Sequence, residues 1–315
     1  MTGWNRHFGG GFRPRILWGL VLSALLALPA MADGRRTIGI ARLFDNDALG
    51  DQKDRWRTGS YSYSLIRGPD WTGTLPLVPG EILEFRLRAE ILAPENLARP
   101  SRRDRRYAGI LSFGVHTHAA IGQAEARIGA DLVVTGPVTG LSGFQRQAHD
   151  LLGLPQPDAS NQLGNHIYPM VSAEIGRSFR LGESVSLRPF VEGQVGFETL
   201  IRAGADLTIG HFGERALLIR DPVTGQRVAG VGAPEGGKPG FSLTLGGDVA
   251  RVGDSALLPE GGAAVLRADR SRLRAGLHWQ GQRSDVFYGV AWLSPEYEGQ
   301  SEGQVVGSLQ LRLRF

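Results

Sequence analysis

Polar and apolar residues alternate along this chain with a period of two, segment after segment. In the last stretch, Val305 to Phe315 (VVGSLQLRLRF), Leu309, Leu311, Leu313 and Phe315 fall on one side of an extended backbone, and Gln310, Arg312 and Arg314 on the other. Leu83 to Ile91 sets Leu83, Phe85, Leu87, Ala89 and Ile91 against Glu84, Arg86, Arg88 and Glu90. Glu125 to Val134, Leu187 to Phe197, Phe241 to Val249 and Leu273 to Gln280 behave alike, with Arg188, Glu192 and Gln194, or Arg272, Arg274, His278 and Gln280, on the polar side. Gly- and Pro-rich punctuation (Gly68-Pro69-Asp70, Asp221 to Gly225, Gly236 to Gly240) supplies turns between strands. About a dozen such segments follow one another, an even number suited to a barrel of this length.

The charge on these strands decides between two all-β architectures. A soluble sandwich would bury one face of every strand in an apolar core, and that leaves the arginines and glutamates hard to place. A membrane barrel has an apolar wall against lipid and a wet, polar lumen, and it matches the pattern. An aromatic final residue, Phe315, is also common on the closing strand of outer-membrane barrels. No segment after residue 32 approaches the roughly 18 apolar residues of a transmembrane helix. A closed barrel is then the available way to satisfy every backbone group in lipid.

Residues 1–32 carry the three parts of a secretory signal peptide. Arg6, Arg13 and Arg15 make a basic region, Ile16 to Leu28 an apolar run, and Ala30-Met31-Ala32 a cleavage box. The alternative is an uncleaved anchor, but the run is short for one. Residues 33–315 form one predicted domain. The chain has no cysteine, so its stability cannot rest on disulfides, and a closed barrel needs none. The formal net charge is only +4, and the arginines are dispersed without a nucleic-acid-binding module. Such a surface suits anionic lipid head groups or lipopolysaccharide phosphates.

One segment departs from the period of two. Phe144 to Leu152 (FQRQAHDLL) is helical in pattern, with Phe144, Ala148, Leu151 and Leu152 near one face, and it carries His149. In a barrel a short helix belongs in a loop or at the rim. His149 is a candidate general base, although an isolated histidine is more often a packing or surface residue. Asn46 and Asp47 follow the first strand, Thr37 to Leu43. They offer oxygen ligands for a hard cation, or simply a turn. Asp54 to Ser60, Asp104 to Gly109 and Leu293 to Gln300 are three further polar clusters at strand ends. The chain contains no GxSxG elbow, no HExxH and no cysteine-based zinc spacing.

Taken in order, these clusters resemble the LpxR-type outer-membrane lipid A deacylases. Asn46-Asp47, Asp54-Arg55 with Arg57-Thr58-Gly59, Asp104 to Gly109, Gln145 to His149, Asn161 to Asn165 and Ser294 to Gln300 fall where that family carries its motifs. The resemblance implies a twelve-stranded barrel with a short helix near the site. It also implies calcium-dependent release of the 3′ acyloxyacyl group of lipid A. In that scheme His149 would activate water, Asp47 would be the calcium-linked carboxylate, and Asn46 and Thr58 would shape the site. Three positions depart from the family pattern. His166 stands where an acidic residue is usual, Asp158-Ala159-Ser160 replace a Gly-Trp pair, and Arg57 replaces the tyrosine before Thr58. These departures keep a second expectation open, a porin or structural barrel that uses the same scaffold without chemistry.

Overall fold

The structure, a computed structural model, describes residues 34–281 and 284–313. The expected signal peptide, Arg314 and Phe315 lie outside the described residues. Among the described residues there are fifteen strands: β1 (Arg36–Asn46), β2 (Trp56–Gly68), β3 (Ile82–Ala93), β4 (Ala108–Ile121), β5 (Ala124–Thr135), β6 (His166–Gly176), β7 (Phe179–Arg180), β8 (Val185–Val195), β9 (Glu198–Ile209), β10 (Leu217–Arg220), β11 (Arg227–Val231), β12 (Gly240–Ser255), β13 (Asp269–Gln280), β14 (Ser284–Leu293) and β15 (Gln304–Leu313). Between β5 and β6 stands one α-helix, α1 (Leu141–Leu152). No described helix is long and apolar enough to cross a membrane.

Twelve strands form a closed antiparallel barrel. The wall runs from β1 through β6 in sequence, then β8, β9 and β12 to β15, and β15 pairs back with β1. Closure leaves no open edge among the wall strands, as the membrane requires. The seam is short: only Phe44, Asp45 and Asn46 of β1 register with Leu309, Ser308 and Gly307 of β15. The β7 pair is a small extension on β8.

The side chains divide as the alternation predicts. Ile128, Leu132, Val171, Ile175, Leu243, Leu245, Leu273, Leu277, Leu309 and Leu311 project outward and are exposed. Glu84, Arg86, Glu90, Asp131, Arg188, Asp206, Asp248 and Arg272 project inward and are buried. Arginines and carboxylates interleave around the lumen, as in Arg188 with Glu174 at 2.8 Å and Arg272 with Asp248 at 3.0 Å. Pairing of this kind offsets the cost of taking charge out of water.

The remaining strands, β10 and β11, form a hairpin of their own that fills the lumen. The sequence places Asp221 to Gly225 as a turn, and it is one, but it lies inside the barrel rather than beyond a strand end. Asp221 holds the turn by accepting hydrogen bonds from the Val223 and Thr224 amides at 2.9 and 2.7 Å. Arg220 is clamped between Glu174 and Asp206, at 2.8 and 2.7 Å. Gln226 donates to the wall carbonyls of Ala275 and Val290. The apolar side of the hairpin finds a matching patch on the wall: Ile219 and Val228 pack with Ala41, Leu43 and Phe287. Val223, at the tip, packs with Ala291, Leu293 and Val306. Contact with β1 is so close that a Cβ on Gly39 would stand 2.2 Å from the Gly230 carbonyl oxygen, so only glycine fits there.

Candidate active site

The candidate residues gather at the rim reached by the end of β1. There the chain turns through a short 3-10 segment, Asp47–Leu49, capped by Asn46, whose side-chain oxygen accepts from the Ala48 amide at 2.8 Å. Asn46 thus shapes the turn, and no described contact joins it to His149. The following loop doubles back with Gln52, Asp54 and Trp56 all at positive φ (62°, 47° and 50°). Three left-handed non-glycine residues so close together store strain, and strain of this kind concentrates at functional sites. The loop is fastened to β15: Gly50 packs against the Val305 carbonyl too closely for any side chain, and Asp51 N–H donates to the same carbonyl at 3.0 Å.

The fold around Asp54 brings three segments together. Asp54 Oδ1 accepts from Thr58 Oγ1 at 2.7 Å, and Asp54 Oδ2 stands 3.4 Å from His149 Nε2 on α1. Thr58 Oγ1 also reaches Asp47 Oδ1 at 3.5 Å. The other oxygen of Asp47 accepts from the Arg55 amide at 2.9 Å. Asp47 is only 2% exposed. Burial pushes its carboxyl up to about 7; the Asp54 and Asp51 carboxylates push the same way, and the Arg55 amide pulls against them. Of the four residues expected from sequence, His149 and Thr58 therefore meet at Asp54, and Asp47 reaches the same Thr58 hydroxyl; the sequence pattern assigns Asp54 no role. Its role depends on a left-handed backbone at a loop residue, for which the string of residues gives no signal beyond Asp54 preceding Thr58 by one helical turn's length.

His149 is held at both ring nitrogens. Its Nδ1 lies 2.7 Å from the Pro155 carbonyl oxygen. A carbonyl only accepts, so Nδ1 carries a proton and donates it there, and Nε2 is turned toward the Asp54 carboxylate. The helix places Ser142, Gln145 and His149 on one buried face, at the three- and four-residue spacing of a single stripe. Gln145 Oε1 and the Tyr107 hydroxyl are buried without hydrogen-bond partners among the described residues. Burial holds the Tyr107 phenol neutral well beyond its usual range.

The other polar clusters support this rim. Arg57 joins Glu90 at 2.6 Å and Glu296 at 2.7 Å, and Arg105 joins the second Glu296 oxygen at 2.7 Å. Burial alone would raise the Glu296 carboxyl, but Arg57, Arg270 and Arg105 hold it far below the carboxylate range. Tyr297 donates to Asp104, and Gln300 accepts from the Glu296 amide. Arg57, in place of the family tyrosine, is thus a structural cation beneath the loops. His166 begins β6 on the exposed side beside Tyr168, with ring centroids 5.8 Å apart, and makes no described contact with His149 or Asp47.

Comparison with known proteins now fixes the family. The model of the family described as outer membrane protein LpxR matches residues 19–315. The chain belongs to the LpxR family. The solved structure of LpxR from Salmonella typhimurium superposes with a TM-score of 0.73 at 16% identity, covering 88% of this chain and all of that one. The NanC porin matches with a TM-score of 0.40 at 6% identity, over 88% of this chain and all of its own. The translocator domain of the autotransporter NalP from Neisseria meningitidis matches at 0.41 and 12% identity, over 96% of this chain and 98% of its own. Among curated proteins none matches. As an LpxR family member with a closed twelve-stranded wall, the chain is an outer-membrane protein.

Proposed function

We propose that this chain is a lipid A ester hydrolase that releases the 3′ acyloxyacyl group. One observation carries the reading: a buried histidine, its Nδ1 on a backbone carbonyl and its Nε2 toward an aspartate that also holds a threonine hydroxyl, stands at the rim of a barrel set in the membrane that holds lipid A. In this scheme His149 Nε2 takes a proton from water as the oxygen adds to the ester carbonyl. Asp54, 3.4 Å away, balances the imidazolium that results. The proton then passes from Nε2 to the departing sugar oxygen as the ester C–O bond breaks. A free fatty acid and a sugar hydroxyl are left.

Calcium is the expected cofactor, and the donors fit it in chemistry. Asp47, Asp54 and Thr58 offer only hard oxygen ligands, and the buried Asp47 is crowded by like charges that a divalent cation would relieve. Among the described residues no three His, Asp or Glu side chains converge into a full ligand set. A cation here would therefore be held chiefly by Asp47 with Thr58, with water or substrate completing its shell. When bound it would supply positive charge for the developing oxyanion. Arg102, Arg103 and Arg106, exposed on the β3–β4 loop, and Arg146 on α1 offer cations for the lipid A phosphates.

The competing reading is a porin. The β10–β11 hairpin speaks against it, because buried ion pairs tie that hairpin across the lumen. Mass spectrometry of lipid A incubated with the refolded full-length protein, with calcium and with a chelator, separates the two. Loss of one acyloxyacyl mass only with calcium is the expected outcome. Intact lipid A in both, alongside ion conductance in planar bilayers, would sink the hydrolase.

A further inference from the structure

Helix α1 is amphipathic in an unusual sense, because the face it turns toward the barrel is the polar one. With about 100° between successive residues, its surface divides into three sectors. Ser142, Gln145 and His149 share the buried sector. On one side of it lie Leu141, Phe144, Ala148, Leu151 and Leu152. On the other lie Arg146 and Asp150, with Gly143 and Gln147 beyond them. The apolar sector does not pack into a core: Phe144 is 64% exposed, Leu151 87% and Leu152 68%. Leu154, just past the helix, is exposed as well. In water this would be a contiguous apolar ridge, of a kind soluble surfaces avoid.

The strands that carry this loop indicate what covers the ridge. β5 enters the loop at Thr135 and β6 leaves it at His166, and Leu132 and Ile167, at those same strand ends, point outward and are exposed. They are the top of the lipid-facing belt. The ridge continues that belt past the strand ends, while the opposite flank of the helix carries charge for water. A helix with one apolar flank and one charged flank settles in the plane of a membrane interface, with its apolar side about 5–10 Å into the head-group boundary.

We propose that α1 is an interfacial anchor whose Phe144–Leu151–Leu152 flank is seated among the acyl chains of the surrounding leaflet, which holds His149 at the depth of lipid ester bonds. The anchoring stands without any catalysis; its consequence for His149 rests on the hydrolase reading above.

Because the chain has no cysteine, single thiol labels report cleanly. Leu151→Cys, Phe144→Cys and Asp150→Cys would each carry an environment-sensitive dye on the full-length protein, refolded into phosphatidylcholine vesicles with and without chains brominated near the head group. The labels at 144 and 151 are expected to emit blue-shifted and to dim in brominated lipid. The label at 150 is expected to be quenched by aqueous iodide instead. A Leu151 label as open to iodide as the Asp150 label would overturn the anchor. So would one shielded from both quenchers, as under a second copy of the chain. For the depth-setting role, the double variant Leu151→Asp, Leu152→Asp should lose turnover on vesicle-embedded lipid A and keep it on detergent-dispersed lipid A. Equal loss on both would refute that role, while the dye measurement decides the anchor even if no lipid is hydrolysed.

Discussion

Two segments of this barrel have the same length and opposite fates. The β5–β6 connection (residues 136–165) and the β9–β12 connection (residues 210–239) each run thirty residues. The first stays on the rim, and its helix buries a polar stripe and leaves Phe144, Leu151 and Leu152 outside. The second folds back into the lumen and hides almost everything between Leu217 and Val231. What separates them is partner chemistry. Ile219 and Val228 find apolar wall residues in Ala41, Leu43 and Phe287, and Arg220 finds two carboxylates. The helix finds Asp54 and the Pro155 carbonyl for His149, and no described apolar neighbours for Leu151. The hairpin is built to stay; the helix, on the two proposals above, faces substrate and membrane.

That contrast can be broken at either segment. The largest effect is expected at the rim: on the hydrolase reading, His149→Ala should lower lipid A deacylation by about 10²–10⁴-fold, since that is the scale of a positioned general base. The barrel should still fold, because His149 sits on a rim loop and its polar contacts are confined to the Pro155 carbonyl and Asp54. In the lumen the sensitive quantity is stability. Arg220→Ala removes the cation shared by Glu174 and Asp206 while Arg188 and Arg274 still face them, so the cost should lie below the roughly 3–5 kcal/mol of leaving a buried charge without any partner. Tryptophan-monitored urea unfolding in detergent reads this, and deacylation by the folded fraction should not change.

Two smaller perturbations sharpen the comparison. Asp54→Asn keeps the shape and removes the charge, and asparagine tolerates the left-handed backbone that position 54 adopts. A supporting partner of this type is worth about 10–100-fold in activity, so initial rates should fall by that much while unfolding stays unmoved. Full activity in Asp54→Asn would remove Asp54 from the mechanism. Gly39→Ala forces a methyl against the Gly230 carbonyl and should destabilise by about 1–3 kcal/mol through overpacking. It should also raise ion conductance as the hairpin loosens, which bilayer recordings would detect.

Much of the wall is legible in the sequence because each wall strand solves the same problem, lipid on one side and water on the other, and period-two alternation records the solution. The lumenal hairpin is not legible for the same reason. Leu217 to Arg220 and Arg227 to Val231 are short alternating runs around a turn, indistinguishable locally from a wall hairpin, and their place depends on Ala41, Leu43 and Glu174 far along the chain. The helix was readable, and so was its apolar face, but not that this face would point away from the protein. At the site, His149, Asp47 and Thr58 stand in recognisable order. Asp54 becomes their meeting point only through three backbone conformations that no side-chain pattern encodes.

The three-residue seam between β1 and β15 bears on how the molecule comes into being. It joins the first described strand to the last, so the ring cannot close until β15 has been made. A chain that lacks β15 is an open sheet with two unpaired edges and an outer face of leucine, isoleucine and valine, the features that drive strand-to-strand aggregation. In the finished barrel every wall strand has a neighbour on each side. The dangerous interval is the journey, and an escort that covers the free edge of β1 until β15 arrives would answer a hazard written into the topology itself.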